Sequence, residues 1–326
     1  MFVLKSVFGQ MRGFAHLQVV DQNTVNALKY AYEQGEMQFE PWYSIIQKPQ
    51  VQAIYGRMTD AENRSEMQGG FATDEFGLPD AQDRSTVDAS YIPDLKTVYY
   101  HFKSFDTSFM ERDRNVIHDH LESLGNVPIE HVIIDVTGNA GGNTDYWKKN
   151  IVGLFPGDYL WESYLFYNDT EINRYFYKDM LDYTPISEFP KHKKLPAFVD
   201  WLQLSYFTKI EDVIGQDEAS LESRLADAKR WVLIDQTGYS ATECFAYFCK
   251  EAQWATLVGR ATRGDGIGGN PVFLELKNTG VLIYFSSLAG AGSDGTLNTQ
   301  RGTAPDIYCK QGESPYHTCI RMIEAE

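Results

Sequence analysis

From about residue 97 onward the chain reads as an α/β domain, on three observations. Apolar, β-branched runs at residues 97–102, 131–136, 231–234 and 255–259 have the length of buried strands. Stretches with apolar residues at helical spacing lie between them. The runs at 131–136 and 231–234 each end in a glycine-containing turn that opens a helix. The preceding residues show helical and loop-like patterns, so the chain divides into an N-terminal, mostly helical segment (1–95) and an α/β core (96–326).

Composition narrows the function classes. The 326 residues are 43% hydrophobic and 14% aromatic, enough for one large core. Net charge is −16, from 29 basic and 45 acidic residues, which repels a nucleic-acid backbone. No apolar run approaches ~20 residues, so no membrane span is expected. Residues 1–20 include Gln10, Arg12 and His16 and lack the apolar centre of a secretory signal. Cys244 and Cys249 fall on a predicted helix as small core residues, while Cys309 and Cys319 flank a polar loop and could pair in an oxidising compartment.

Taken in order, His16 sits among apolar neighbours in Gly13-Phe-Ala-His16-Leu17, where a lone histidine is ordinarily a core residue. Residues 68–88 are rich in Gly, Asp and Ser and read as a long loop. A helix is predicted over 108–124, with Ile117, Leu121 and Leu124 on its apolar face and Gly125 ending it. His118 and His120 are two apart and point to different faces, so they do not make the usual metal pair. After the 131–136 strand comes Thr137-Gly-Asn-Ala-Gly141-Gly142-Asn-Thr144, a turn whose N–H groups can approach a ligand closely; the plainer reading is an ordinary strand-to-helix turn. The lysine of a phosphate loop is missing from it.

Residues 155–177 have the pattern of a hairpin, and 217–230 that of a solvated helix with Leu221 and Leu225 inward. The Lys191-His-Lys-Lys194 cluster reads as wet surface. Gly264, Gly266 and Gly269 match a dinucleotide fingerprint in spacing, but a strand follows them instead of a helix. Residues 272–276 and 281–285 read as a hairpin around Asn278-Thr-Gly280. No cofactor and no metal site is therefore expected.

Ser240 lies where the 231–234 strand, after Gly238, turns into a helix. Helix N-termini offer free N–H groups and a positive dipole end, which suits a nucleophile that must stabilise an oxyanion. The strand–turn–serine–helix order is that of a nucleophile elbow, although the motif's final glycine is missing. The competing reading is structural: Ser240 and Glu243 have the spacing of a capping box, in which each side chain bonds the other's backbone N–H.

Four blocks in order resemble the C-terminal processing peptidases, with the tricorn core and interphotoreceptor retinoid-binding domains as relatives. They are Ile134-Asp-Val-Thr-Gly-Asn139-Ala-Gly141-Gly142, Ser240-Ala-Thr-Glu243, Ala255-Thr-Leu-Val-Gly259-Arg-Ala-Thr262-Arg-Gly264, and Gly302-Thr-Ala-Pro-Asp306-Ile307. They cover about residues 97 to 310. The resemblance implies a Clp protease/crotonase-like α/β superhelical core and a serine peptidase acting through an acyl-enzyme. It makes Ser240 the nucleophile and places the oxyanion donors on the N–H of Ala241 and one of Gly141 and Gly142.

One branch of that family draws its base from a lysine in a Gly-Lys-Gly element, where this chain has Gly264-Asp265-Gly266. The tricorn-like branch uses a histidine near the start of the core, and His16 resembles it. The carboxylate that often orients such a base falls at Thr299, leaving Thr299 or nearby Asp294 for that role and implying a weak peptidase. No PDZ-like insert is recognisable between His16 and Thr97. The resemblance implies a peptide or unfolded-protein substrate and favours an exported bacterial protein; oligomeric state is left open. The alternative is a peptide-binding pseudoenzyme of the same fold, and a third reading is a retinoid- or lipid-binding protein.

Overall fold

The apolar runs lie side by side in one sheet. The computed structural model describes residues 85–215, 224–269, 272–275, 282–293, 295–298 and 301–326. Strand β1 (Val87–Ile92) and strand β2 (Thr97–Phe102) form an antiparallel pair. Helix α1 (Met110–Ser123) then crosses back to strand β3 (His131–Asp135), which lies parallel to β2. Gly125, at φ 55°, stands just beyond the helix end. Helix α2 (Thr144–Asn150) opens with the Asn143 side chain accepting the Asp145 N–H at 2.8 Å.

A second sheet is inserted before the first resumes. Strand β4 (Tyr159–Tyr167), helix α3 (Glu171–Phe176), the short strand β5 (Thr184–Pro185), helix α4 (Ala197–Trp201) and strand β6 (Tyr206–Ile214) make up the insertion. Residues 155–177 thus do not form a hairpin. β4 pairs antiparallel with β6 over its whole length, from Tyr159 opposite Ile214 to Tyr167 opposite Tyr206. Alternate residues feed two aromatic clusters: Tyr164, Phe166 and Phe207 join Phe189 and Phe198, while Leu165 and Tyr167 join Tyr177 and Leu181. Lys193, expected on wet surface, is ion-paired with Glu162 of β4 and stands over the Tyr164 ring.

Strand β7 (Lys229–Ile234) returns to the first sheet beside β3, in parallel register. The helix expected over 217–230 is not what its described part adopts: Lys229 and Arg230 already belong to β7, and Leu225 is buried in the turn before it. Helix α5 (Ala241–Glu251) leads to strand β8 (Thr256–Gly259), parallel to β7. Strands β9 (Val272–Glu275) and β10 (Leu282–Phe285) form the expected hairpin. Strand β11 (Ala289–Ala291) pairs with β4, strand β12 (Ile307–Tyr308) with β8, and helix α6 (Pro315–Ile323) follows.

The described strands give sheet orders β1-β2-β3-β7-β8-β12 and β11-β4-β6-β5. Burial on both faces explains why β3 and β7 are continuous apolar runs. Val132, Ile134, Val232 and Ile234 face a core shared with Ile117, Trp147 and Phe245, whereas Ile133, Trp231, Leu233 and Val258 face Cys319 and Ile323 of α6. All four cysteines are free, and Cys319 is fully buried against the sheet. Among the described residues no helix is long and apolar enough to cross a membrane.

Candidate active site

Two neighbouring parallel strands end in the same turn. At the end of β3, Asp135 Oδ1 accepts the N–H and hydroxyl of Thr137 at 2.8 and 2.7 Å. At the end of β7, Asp235 Oδ1 accepts the N–H of Thr237 at 2.9 Å and is also bonded by its hydroxyl. The second Asp235 oxygen accepts the Gly138 N–H at 3.1 Å, which ties one turn to the other. The loops that follow carry Gly141-Gly142 and Ser240, so the sheet itself brings these sequence-distant residues together.

Ser240 has φ 55° and ψ −122° at the N-cap position of α5, and its side chain makes no cap hydrogen bond. This corrects the capping-box expectation. A cap residue normally holds extended backbone and turns its hydroxyl onto the helix N–H groups; Ser240 does neither. A positive φ at a residue with a Cβ costs on the order of 1–3 kcal/mol and requires surrounding structure to hold it. Tyr239 supplies that restraint. It bridges Gly264, its carbonyl accepts the Thr242 N–H at 3.1 Å, and its hydroxyl donates to Asp265 at 2.9 Å. Arg263 lies over its ring. Burial, then the Asp265 charge, pushes the Tyr239 hydroxyl pKa well up, so it remains a donor.

The glycine loop reaches the serine turn at Gly141. A Cβ there would lie 2.6 Å from Tyr239 O, 3.0 Å from Ser240 Cβ and 3.1 Å from Ala241 N, and Gly141 has φ 112°. Only glycine allows that approach. Gly142 bridges Phe105, and Asn143 N–H donates to Phe105 O at 2.8 Å, so the loop runs as a short extra strand. Gly141 N–H is taken by Asn139 Oδ1 at 2.9 Å. Among the described residues the N–H groups of Gly142 and Ala241 have no hydrogen-bond partner. Ser240 Oγ likewise bonds none of the described residues.

Glu243 points inward and is fully buried. Its carboxylate accepts from Asn298 Nδ2 at 2.7 Å, from the N–H and hydroxyl of Thr303 at 3.1 and 2.8 Å, and from the Thr262 hydroxyl. Burial pushes its pKa up, and the four donors pull it part of the way back. Asn298 Oδ1 accepts the N–H groups of Gly266 and Ile267 at 2.7 and 3.1 Å. The helix start, the Gly264–Gly266 turn and the loop ending at Thr303 are thereby fastened to one carboxylate. The sequence reading missed Asn298 and Thr303 in this role, because their only signal is spatial.

His16, Asp294 and Thr299 lie outside the described residues. The ring nitrogens of His101, His120 and His131 contact Thr137 O, Tyr100 Oη and Trp231 Nε1, none of them part of the serine turn. His118, Asp119 and Glu122 bring potential ligand atoms within 4.8 Å of one another on the exposed side of α1, where His118 and Glu122 are an i, i+4 pair. A concavity of about 460 Å³ lined by Lys229, Arg230, Lys250 and Trp254 lies at the far end of α5, away from Ser240.

The family model for Peptidase family S41 matches residues 96–309. Among solved structures, a candidate peptidase from Parabacteroides merdae is 17% identical with a TM-score of 0.50, covering 73% of this chain and 64% of that one. The photosystem II D1 C-terminal processing protease is 15% identical with a TM-score of 0.42, covering 70% of this chain and 49% of that one. A lipoprotein from Streptococcus agalactiae is 11% identical with a TM-score of 0.45, covering 95% of this chain and 99% of that one. The chain thus spans less than two thirds of the first of these and about half of the second. No curated protein sequence matches it. The mixed α/β architecture is that of the Clp protease/crotonase-like fold, and with the matched segment taking in both the glycine loop and the serine turn, the chain belongs to Peptidase family S41.

Proposed function

We propose that the protein is a serine peptidase in which Ser240 attacks the carbonyl of a peptide or unfolded-protein substrate. The observation that carries this reading is the Ser240 backbone: an uncapped serine at positive φ at a helix start, with a glycine loop packed against it and two N–H groups that bond none of the described residues. Strain of this kind persists where it serves a site. Ala241 and Gly142 are the proposed oxyanion donors; Gly141, whose N–H is already bonded, serves by its close approach instead.

In the proposed reaction His16 removes the Ser240 proton as Oγ adds to the carbonyl carbon. The oxyanion so formed accepts the Ala241 and Gly142 N–H groups. Collapse breaks the C–N bond, and the departing amine takes the proton from the imidazolium. Water, deprotonated by the same base, then releases the acyl group and regenerates Ser240. Thr299 or Asp294, in the segment beside Asn298, would orient the imidazole.

The pseudoenzyme reading draws support from Asp265, an acid where one branch of the family has its base, already engaged by Tyr239. Turnover of an activated peptide ester separates the two. The peptidase reading expects an initial burst and steady hydrolysis, both lost in Ser240→Ala. The pseudoenzyme reading expects ester binding with no release of product from either protein.

A further inference from the structure

We infer that Asn139 and Thr242 are positioning residues that set the spacing of the two oxyanion donors; this rests on the peptidase reading above. Asn139 follows β3, Thr242 lies in the first turn of α5, and both are fully buried. Asn139 Nδ2 donates to Phe102 O at 3.0 Å. Its Oδ1 accepts two bonds, from Gly141 N–H at 2.9 Å and from the Thr242 hydroxyl at 2.8 Å. A carbonyl on one side and two donors on the other allow only this orientation of the carboxamide.

Two consequences follow from that geometry. Gly141 N–H is held back from the substrate, which leaves Gly142 N–H as the donor on this loop. Thr242 is the residue after Ala241, so one carboxamide oxygen joins a neighbour of each proposed donor. The spacing between Ala241 N–H and Gly142 N–H is therefore fixed by a side chain that touches no substrate. Phe105 holds the outer edge of the same loop, donating its N–H to Gly141 O at 3.0 Å. Preorganised donors act by being in place before charge develops, and a displacement of about 1 Å can cost roughly 100-fold in rate.

Thr242→Val keeps the branched shape and removes the hydroxyl, while Thr242→Ser keeps the hydroxyl. On a peptide ester, Thr242→Val is expected to lower kcat roughly 10- to 100-fold with KM within about twofold, and Thr242→Ser to recover most of the rate. Thr242→Ala gives the same readout should the valine variant not accumulate folded. An unchanged kcat in folded Thr242→Val or Thr242→Ala, or an equal loss in Thr242→Ser, overturns the positioning role while leaving the peptidase reading intact. Absence of any burst or turnover in the unaltered protein overturns the peptidase reading, and this inference with it.

Discussion

Glu243 and Thr303, sixty residues apart, are joined twice: the Thr303 N–H and hydroxyl both donate to the same Glu243 oxygen, at 3.1 and 2.8 Å. The bond pair fastens the first turn of the serine-bearing helix to the segment that ends the site. Glu243→Ala takes the acceptor from the buried Thr303 hydroxyl and Asn298 Nδ2, while the Thr303 N–H keeps Thr262 Oγ1 at 2.7 Å, and is expected to cost about 2–5 kcal/mol in chemical denaturation.

The same carboxylate makes stability fall with rising pH. Its folded pKa is raised by burial, so the native state binds more protons than the unfolded state above the ordinary carboxylate pKa. Its contribution is therefore most favourable below that value and declines as pH rises through the raised one. Glu243→Gln removes this titration. Melting curves across the mildly acidic range should show a shallower decline for Glu243→Gln than for the unaltered protein; parallel declines would contradict the assignment.

Ser240 is held at φ 55° without a side-chain cap bond, so its replacement loses no such bond and reads the backbone preference of the position. Ser240→Gly is expected to be more stable than Ser240→Ala by about 1 kcal/mol, since glycine adopts positive φ freely and gives back part of the gain in chain entropy. Equal stability of the two variants would contradict strain at this position. Both should be inactive, and urea titration of the pair gives the answer.

Gly141→Ala puts a Cβ 2.6 Å from Tyr239 O and 3.0 Å from Ser240 Cβ. Backbone on one side and the strained serine on the other leave no flexible group to yield. Reaction of Ser240 with a phosphonate should slow by roughly 100-fold or more. Near-normal labelling would show that the loop and the serine turn separate easily.

The base can be identified by its titration. With His16 in that role, the acylation rate should rise with pH around the usual histidine pKa of about 6.5. His16→Ala should remove that rise and lower the rate by roughly 100-fold or more. A rate that climbs only above about pH 8 would point to a different base.

The sheet order was more legible in parts than as a whole. β2, β3, β7 and β8 could be read because burial on both faces makes each a short, largely apolar run, and β9 and β10 because Asn278-Thr-Gly280 between them is a turn sequence and the two strands pair antiparallel. β4 and β6 could not. Their paired residues lie from 39 positions apart, at Tyr167 and Tyr206, to 55, at Tyr159 and Ile214, so β4 reads as half of a local hairpin with no signal for its true neighbour. Ser240 was legible as a helix start, but its backbone angles were not. The spacing from Ser240 to Glu243 suits a capping box equally well, and only Thr262, Asn298 and Thr303, gathered from elsewhere, turn Glu243 inward. Asn139 was visible within its motif, while its bond to Thr242 depends on two strand ends lying side by side.

The central claim is that Ser240 is the nucleophile, and covalent labelling tests it most directly. The protein is treated with a fluorophosphonate, digested, and the modified residue located by mass spectrometry. The account predicts one adduct, on Ser240, lost in Ser240→Ala and slowed in Thr242→Val. An adduct at another residue, or no adduct on folded protein at high reagent concentration, would contradict it.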